Sequence, residues 1–325
     1  MIFFGTSQFS IIVLKQLIAR GFIPQAIVTV PDRPAGRKML LTPPPLKEWA
    51  QGSELIELLA TQNESLDSMQ SISNIPVLQF EKLNSDAIEA LRGFNPDVFI
   101  VASYGKIIPQ AVLDIPVHGS LNVHPSLLPK LRGATPLQTS IMLDMQHTGV
   151  TIIQMDKEMD HGPIVAQYAE EVTPWPQLYL ELEAYLGKIG ADILADALPN
   201  YLKGKAKLIE QNHDEATFTK KIEKSDGLIS LDELEGEIGW KNFLKYNALH
   251  EWPGLFFFIN LEKNDQTAEQ ATEQAEQSIS QPMRVKVKEA SWNTALKKME
   301  LQRVLPEGKK EMTWKDFENY IKNLG

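Results

Sequence analysis

The chain predicts an α/β fold, a Rossmann-like doubly wound parallel sheet followed by a smaller β-rich domain. Three observations carry this. Short apolar runs alternate with stretches of helical spacing from Ile2 to Leu198. One of the runs, Asp97 to Ala102 (Asp-Val-Phe-Ile-Val-Ala), is continuous, as in a strand covered on both faces. After about Gly204 the pattern changes to short apolar runs separated by turns.

Taken in order, Ile2-Phe3-Phe4 reads as a buried strand and Gly5-Thr6 as its turn. Phe9 to Ala19 has helical spacing, with Phe9, Val13, Leu14, Leu17 and Ile18 on one face. Ala26 to Val30 is the next strand, and Pro31 to Pro45 a loop rich in proline with Arg33, Arg37 and Lys38. Gly52 to Asn74 is a polar insertion in which Glu54 to Leu59 can form a short helix. Ser85 to Arg92 is helical, and Leu121-Asn122-Val123 and Gly149 to Gln154 are strands. Leu178 to Leu198 is a long helix. Farther on, Glu251-Trp252-Pro253-Gly254 turns into Leu255 to Leu261, and Met283 to Val287 alternates apolar and basic residues. Asn264 to Gln281 is a second insertion, rich in Gln, Glu and Ala with no apolar period. The expected organisation is a catalytic domain over 1–204, a linker over 205–214 and an OB-like β-barrel domain over 215–325.

The 325 residues are 43% hydrophobic and 23% charged, a globular profile with room for two domains. There is no cysteine, which excludes disulfides, thiolate zinc sites and cysteine nucleophiles and fits a reducing cytoplasm. No basic leader precedes Ile2-Phe3-Phe4, and no apolar run approaches the ~20 residues needed to span a bilayer. A cytoplasmic protein without a membrane segment is expected. Neither Gly-x-Gly-x-x-Gly nor a Walker loop occurs, so the sheet announces no nucleotide site. The absence of a Gly-x-Ser-x-Gly elbow disfavours serine hydrolase chemistry. No metal and no obligate protein partner are indicated. The formal net charge is −10, but it is uneven. Gln281 to Gly325 carries ten Lys/Arg against six Asp/Glu, while Glu262 to Ser280 carries five acids and one lysine. An acidic chain of this kind can still present a basic face.

Asn122 and His124 sit at the end of one strand and Asp160 in the loop after another, where ligands bind in sheets of this class. An amide, an imidazole and a carboxylate suffice to move an acyl group onto an amine. Asn122 can donate to the carbonyl oxygen as it becomes anionic. His124 can take the proton or help hold the oxyanion, since imidazoles titrate near neutral pH. Asp160 would fix the imidazole's tautomer and favour its charged form. A lone Asn-x-His is an ordinary polar turn, and its weight here comes from the distal Asp motif. His118, His147, His161, His213 and His250 are expected at the surface or in structural roles.

The stretch Asn122-Val123-His124-Pro125-Ser126-Leu127-Leu128-Pro129-Lys130-Leu131-Arg132-Gly133-Ala134-Thr135-Pro136-Leu137-Gln138 resembles the signature of the formyltetrahydrofolate-dependent formyltransferases. Gly149-Val150-Thr151 and Met159-Asp160-His161-Gly162 resemble that family's second signature. The likeness extends to Pro31-Asp32-Arg33-Pro34-Ala35-Gly36-Arg37, Ser103-Tyr104-Gly105, Trp252-Pro253-Gly254 and Gly308-Lys309-Lys310-Glu311-Met312. Within the family it is most similar to the branch whose acceptor is an aminoacyl-tRNA. Ile229-Ser230-Leu231, where the family often has Ile-Asp-Trp, and Pro125, where a small residue is common, depart from the pattern.

The resemblance implies that Asn122, His124 and Asp160 are the catalytic trio and that the formyl donor is 10-formyltetrahydrofolate, released as tetrahydrofolate. It implies folate contacts from Ser126, Leu127, Leu128 and Pro129, with Ile107 and Pro109 of the loop that includes Ile108. The acceptor it implies is the methionine amine of initiator Met-tRNA, giving formylmethionyl-tRNA for translation initiation. Arg33, Arg37 and Lys38 would engage tRNA phosphates from a loop partly pre-ordered by proline, and the net-positive C-terminal segment from Gln281 would add sequence-independent contacts. The alternative acceptor is an amino-sugar nucleotide.

Overall fold

Ile2, Phe4, Ala26, Val28, Phe99 and Val101 belong to one apolar cluster, and Phe3, Ile27, Ile100 and Ala102 to another. Successive side chains of a strand point to opposite faces, so strands between two apolar layers must be apolar throughout. That is why these runs read as continuous in the sequence. Burying each large side chain contributes about 1.5–3 kcal/mol.

The protein, seen here as a computed structural model, is described over residues 1–36, 38–61, 75–260 and 282–323. Arg37, the polar stretch 62–74 and the whole of the second insertion lie outside the described residues. The chain divides into two compact units, one formed by residues 1–140, 146–173 and 180–220, the other by 141–145, 174–179 and 221–325.

The first unit begins β1 (Ile2–Gly5), α1 (Gln8–Ala19), β2 (Ala26–Thr29). A small hairpin follows, β3 (Arg33–Ala35) and β4 (Leu40–Thr42), then α2 (Pro45–Ala50) and α3 (Ser53–Thr61). Next come β5 (Val77–Gln79), α4 (Ser85–Arg92), β6 (Phe99–Ala102) and the single turn α5 (Gln110–Leu113). The series ends with β7 (Ser120–His124), α6 (Pro136–Met142), β8 (His147–Gln154), β9 (Ile164–Glu171) and α7 (Tyr179–Leu202). Asn84 caps α4, its side chain accepting from the Ala87 amide.

The sheet order is β5-β2-β1-β6-β7-β8-β9. The five strands from β5 to β7 are parallel, as the alternating pattern predicts, and β8 and β9 are antiparallel. The sheet is therefore mixed, with an antiparallel pair at one edge of a parallel, doubly wound core. The connection from Gln154 to Ile164 is shorter than the dozen or so residues a parallel crossover needs, so β9 folds straight back on β8.

Residues 205–214, expected as a linker, pack with the first sheet. The backbones of Ile209 and Ile164 exchange hydrogen bonds of 2.8 and 2.9 Å, and Gln211 is buried. Thr217 and Thr219 in turn bond the backbone of Arg132. The segment runs along the site rather than bridging between units.

The second unit contains α8 (Gly236–Leu249), β10 (Phe256–Ile259), β11 (Met283–Asn293), β12 (Lys298–Pro306), β13 (Met312–Thr313) and α9 (Trp314–Lys322). Its strands pair antiparallel in the order β10-β11-β12-β13, a sheet consistent with a small barrel domain. On β11, Val285 and Val287 are buried while Lys286 and Lys288 are exposed, the apolar-in, basic-out alternation expected from the sequence. Among the described residues no helix is long and apolar enough to cross a membrane.

Candidate active site

Asn122 and His124 lie on alternate positions of β7, and His124 is paired in register with Thr151 of β8. Asp160 comes from the loop after β8, with a left-handed backbone (φ +51°). The Asp160 carboxylate is 12% exposed and gathers the site. Its Oδ1 accepts from Asn122 Nδ2 at 3.2 Å and lies 3.6 Å from His124 Nδ1, and its Oδ2 accepts from the Gly133 amide at 2.7 Å. His124, itself buried, has its Nε2 3.0 Å from the Leu131 carbonyl. A carbonyl only accepts, so Nε2 carries the hydrogen and Nδ1 is left to take up a proton beside Asp160. The tautomer is thus set by a backbone carbonyl, where the sequence reading assigned that task to Asp160.

Two glycines are needed for close approach. A β-carbon on Gly162 would lie 1.8 Å from the Gln154 carbonyl oxygen, closing off the fold-back that presents Asp160. Gly133 has φ +114°, and a β-carbon there would meet Thr219 Oγ1 at 2.6 Å.

The loop after His124 is held from beneath. Buried Thr151 donates from Oγ1 to the Ser126 carbonyl at 2.6 Å and accepts from the Leu128 amide at 3.1 Å. Gln167 Nε2 reaches both Thr151 Oγ1 and the Leu128 carbonyl, at 2.8 and 3.0 Å. Ser126 Oγ donates to the Lys130 carbonyl at 2.7 Å, and the Leu128 side chain is buried. Ser126 and Leu128 therefore shape the loop from within, while Leu127 and Pro129 remain half-exposed. Thr151→Val keeps the shape but strands the Leu128 N–H and Ser126 C=O. It should cost about 2–6 kcal/mol, from two buried groups at about 1–3 each. A denaturant midpoint that falls with an unchanged slope would register this; an unchanged midpoint would mean that Thr151 does not hold the loop.

Comparison with known proteins decides the family. The profile described as Formyl transferase matches residues 1–198. A curated methionyl-tRNA formyltransferase from Chloroflexus aggregans is 41% identical over 230 residues, covering 70% of this chain and 68% of that one. Another, from Bacillus velezensis, is 33% identical over 323 residues, covering 98% and 93%. The chain belongs to the methionyl-tRNA formyltransferase family. Among solved structures, the N-formyltransferase from Helicobacter canadensis, in complex with folinic acid and dTDP-3-aminofucose, shares the fold. Its TM-score is 0.51 at 15% identity, covering 84% of this chain and 92% of that one.

In this methionyl-tRNA formyltransferase relative, the remaining sequence-predicted residues emerge from loops at the carboxyl ends of the parallel strands. Ile107, 91% exposed, and Pro109 follow β6, and Arg33 and Lys38 belong to the hairpin segment after β2. Arg33 pairs with Glu81 at 2.6 Å, both well exposed, and Arg37 lies outside the described residues. Among the described residues none of these is hydrogen-bonded to the trio, so they share its edge of the sheet and not its contacts. Asp32 roots the hairpin by accepting from Gln79 and Lys47, which hold its carboxyl below the ordinary carboxylate value. Tyr104, packed edge-on against Phe4, has its phenol pushed up to about 12 by burial and stays neutral.

The sequence reading missed four contributors: the Leu131 carbonyl, the Gly133 amide, Thr151 and Gln211. Thr151 stands in a motif already singled out. Gln211 had no signal, being a polar residue in a polar stretch.

Proposed function

We propose that this protein transfers a formyl group from 10-formyltetrahydrofolate to the methionine amine of initiator Met-tRNA, in the cytoplasm, with tetrahydrofolate as the second product. The observation that carries the reading is the convergence of Asn122, His124 and Asp160 around one carboxylate, in a chain whose relatives bear that name.

The amine lone pair attacks the formyl carbon, forming the new C–N bond, and the carbonyl electron pair moves onto oxygen. Asn122 Nδ2 carries two hydrogens. One is used by Asp160, and the other would donate to the oxyanion. The amine proton passes to His124 Nδ1, where the neighbouring Asp160 carboxylate stabilises the imidazolium. Collapse restores the carbonyl and breaks the bond to N10 of the folate, which leaves with the proton returned from the His124 imidazolium. Ser126 to Pro129, with Ile107 and Pro109, would grip the folate. Arg33, Arg37 and Lys38, with the basic strand and tail of the second unit, would take the tRNA phosphates.

The test offers the protein labelled 10-formyltetrahydrofolate with Met-tRNA in one reaction and an amino-sugar nucleotide in another. Label on Met-tRNA alone is the expected result. Label on the sugar alone would replace the reading with its rival.

A further inference from the structure

The buried Arg132 and Gln211 side chains, 4% and 5% exposed, touch neither of the groups that would meet substrate directly. Their contacts nevertheless end on the Asp160 loop. Gln211 Nε2 donates to the Asp160 carbonyl at 2.9 Å and to the Gly162 carbonyl at 2.7 Å. Gln211 Oε1 accepts from Arg132 Nε at 3.2 Å and Nη2 at 2.7 Å. A guanidinium cannot accept and a carbonyl cannot donate, so the amide has only one workable orientation. Arg132 Nη2 also lies 2.8 Å from His213 Nδ1. The His213 ring is stacked on His161 at 4.0 Å, and His161 Nδ1 lies 2.7 Å from Asp156 Oδ2.

Arg132 has a second connection through its own backbone neighbours. Leu131 supplies the carbonyl that fixes His124, and Gly133 the amide that holds Asp160 Oδ2. Gln211 therefore ties the 131–133 turn to the 160–162 turn, and these two turns set the two partners of the proton-transfer pair. Asp160 needs such a tie. Its left-handed backbone is unfavourable for a non-glycine residue and persists only where the surroundings enforce it.

We propose that Gln211, locked by Arg132, is a positioning residue for Asp160. It holds the loop carbonyls so that the carboxylate stays between Asn122, His124 and the Gly133 amide. The proposal rests on the formyl-transfer reading for its kinetic effect, though not for its structural one.

The experiment is a double-mutant cycle. In Gln211→Leu, kcat should fall about tenfold to a hundredfold, the scale set by misplacing a reacting group by an ångström. Donor KM should stay within about twofold, because the folate contacts are separate. In an Asp160→Asn background the same substitution should change kcat less than about twofold, because its route of action is already gone. Gln211→Glu is the second variant. It keeps a partner for Arg132 but, ionised, has no hydrogen for the two carbonyls, and it should lose rate as Gln211→Leu does. The ring 15N resonances of His124 provide a readout independent of turnover and should move in Gln211→Leu towards their positions in Asp160→Asn. Equal rate losses in both backgrounds would overturn the proposal, as would an active Gln211→Glu or unmoved His124 resonances. If the wild-type protein formylates nothing, the function reading fails by itself, and the resonances still decide the positioning role.

Discussion

Asp160→Asn is expected to lower kcat by about 10²–10³-fold while the protein stays folded, somewhat less than the ~10⁴-fold loss seen where such a carboxylate bonds its histidine directly. Here the carboxylate stands 3.6 Å from His124 Nδ1 and acts chiefly through its charge. At an effective dielectric of about 20, unit charges at that separation attract by about 4–5 kcal/mol. Only part of this is realised as the imidazolium forms in the transition state. Asparagine has the same shape, but its amide can accept on only one side, so it loses either the Asn122 or the Gly133 hydrogen bond. Steady-state kinetics beside a thermal melt will separate the two effects. A kcat near that of the parent would remove Asp160 from the mechanism.

Asn122→Ala should be as severe for a different reason. It removes the donor proposed for the developing oxyanion, worth about 10²–10³ in kcat. It also removes the side-chain partner of Asp160 Oδ1. Because the lost interaction belongs to the transition state, the fall should appear in kcat with donor KM little changed. A rise in KM at constant kcat would instead make Asn122 a ground-state binding residue.

The parts of the fold that were legible in the sequence are those with a burial reason. Phe99 to Ala102 and Ala26 to Val28 lie between two apolar layers and had to be apolar at every position. The edge strand β9 escaped notice because its Ile-Val-Ala-Gln-Tyr-Ala-Glu-Glu run is largely exposed and has no clean alternation. The hairpin strands β3 and β4 are exposed throughout and carry no pattern at all.

In the candidate site, Asn122, His124 and Asp160 were legible because chemistry demands those side-chain types. The groups that arrange them were not. The Leu131 carbonyl and the Gly133 amide are backbone atoms, which any residue could supply. Gln211 reaches Asp160 across a separation of 51 residues, from a stretch that read as a spacer. Its position follows from the bonds between Ile209 and Ile164, a long-range pairing that local pattern does not encode. The sequence reading singled out the side chains proposed to react, and the structure adds the frame that holds them.

The most direct test of the account follows the formyl carbon itself. In a single turnover with formyl-labelled 10-formyltetrahydrofolate and Met-tRNA, the label and the released folate are counted together. The account predicts one formyl amide on methionine for each tetrahydrofolate formed, and loss of both in Asp160→Asn. Tetrahydrofolate accompanied by free formate, with no label on the methionine amine, would contradict it.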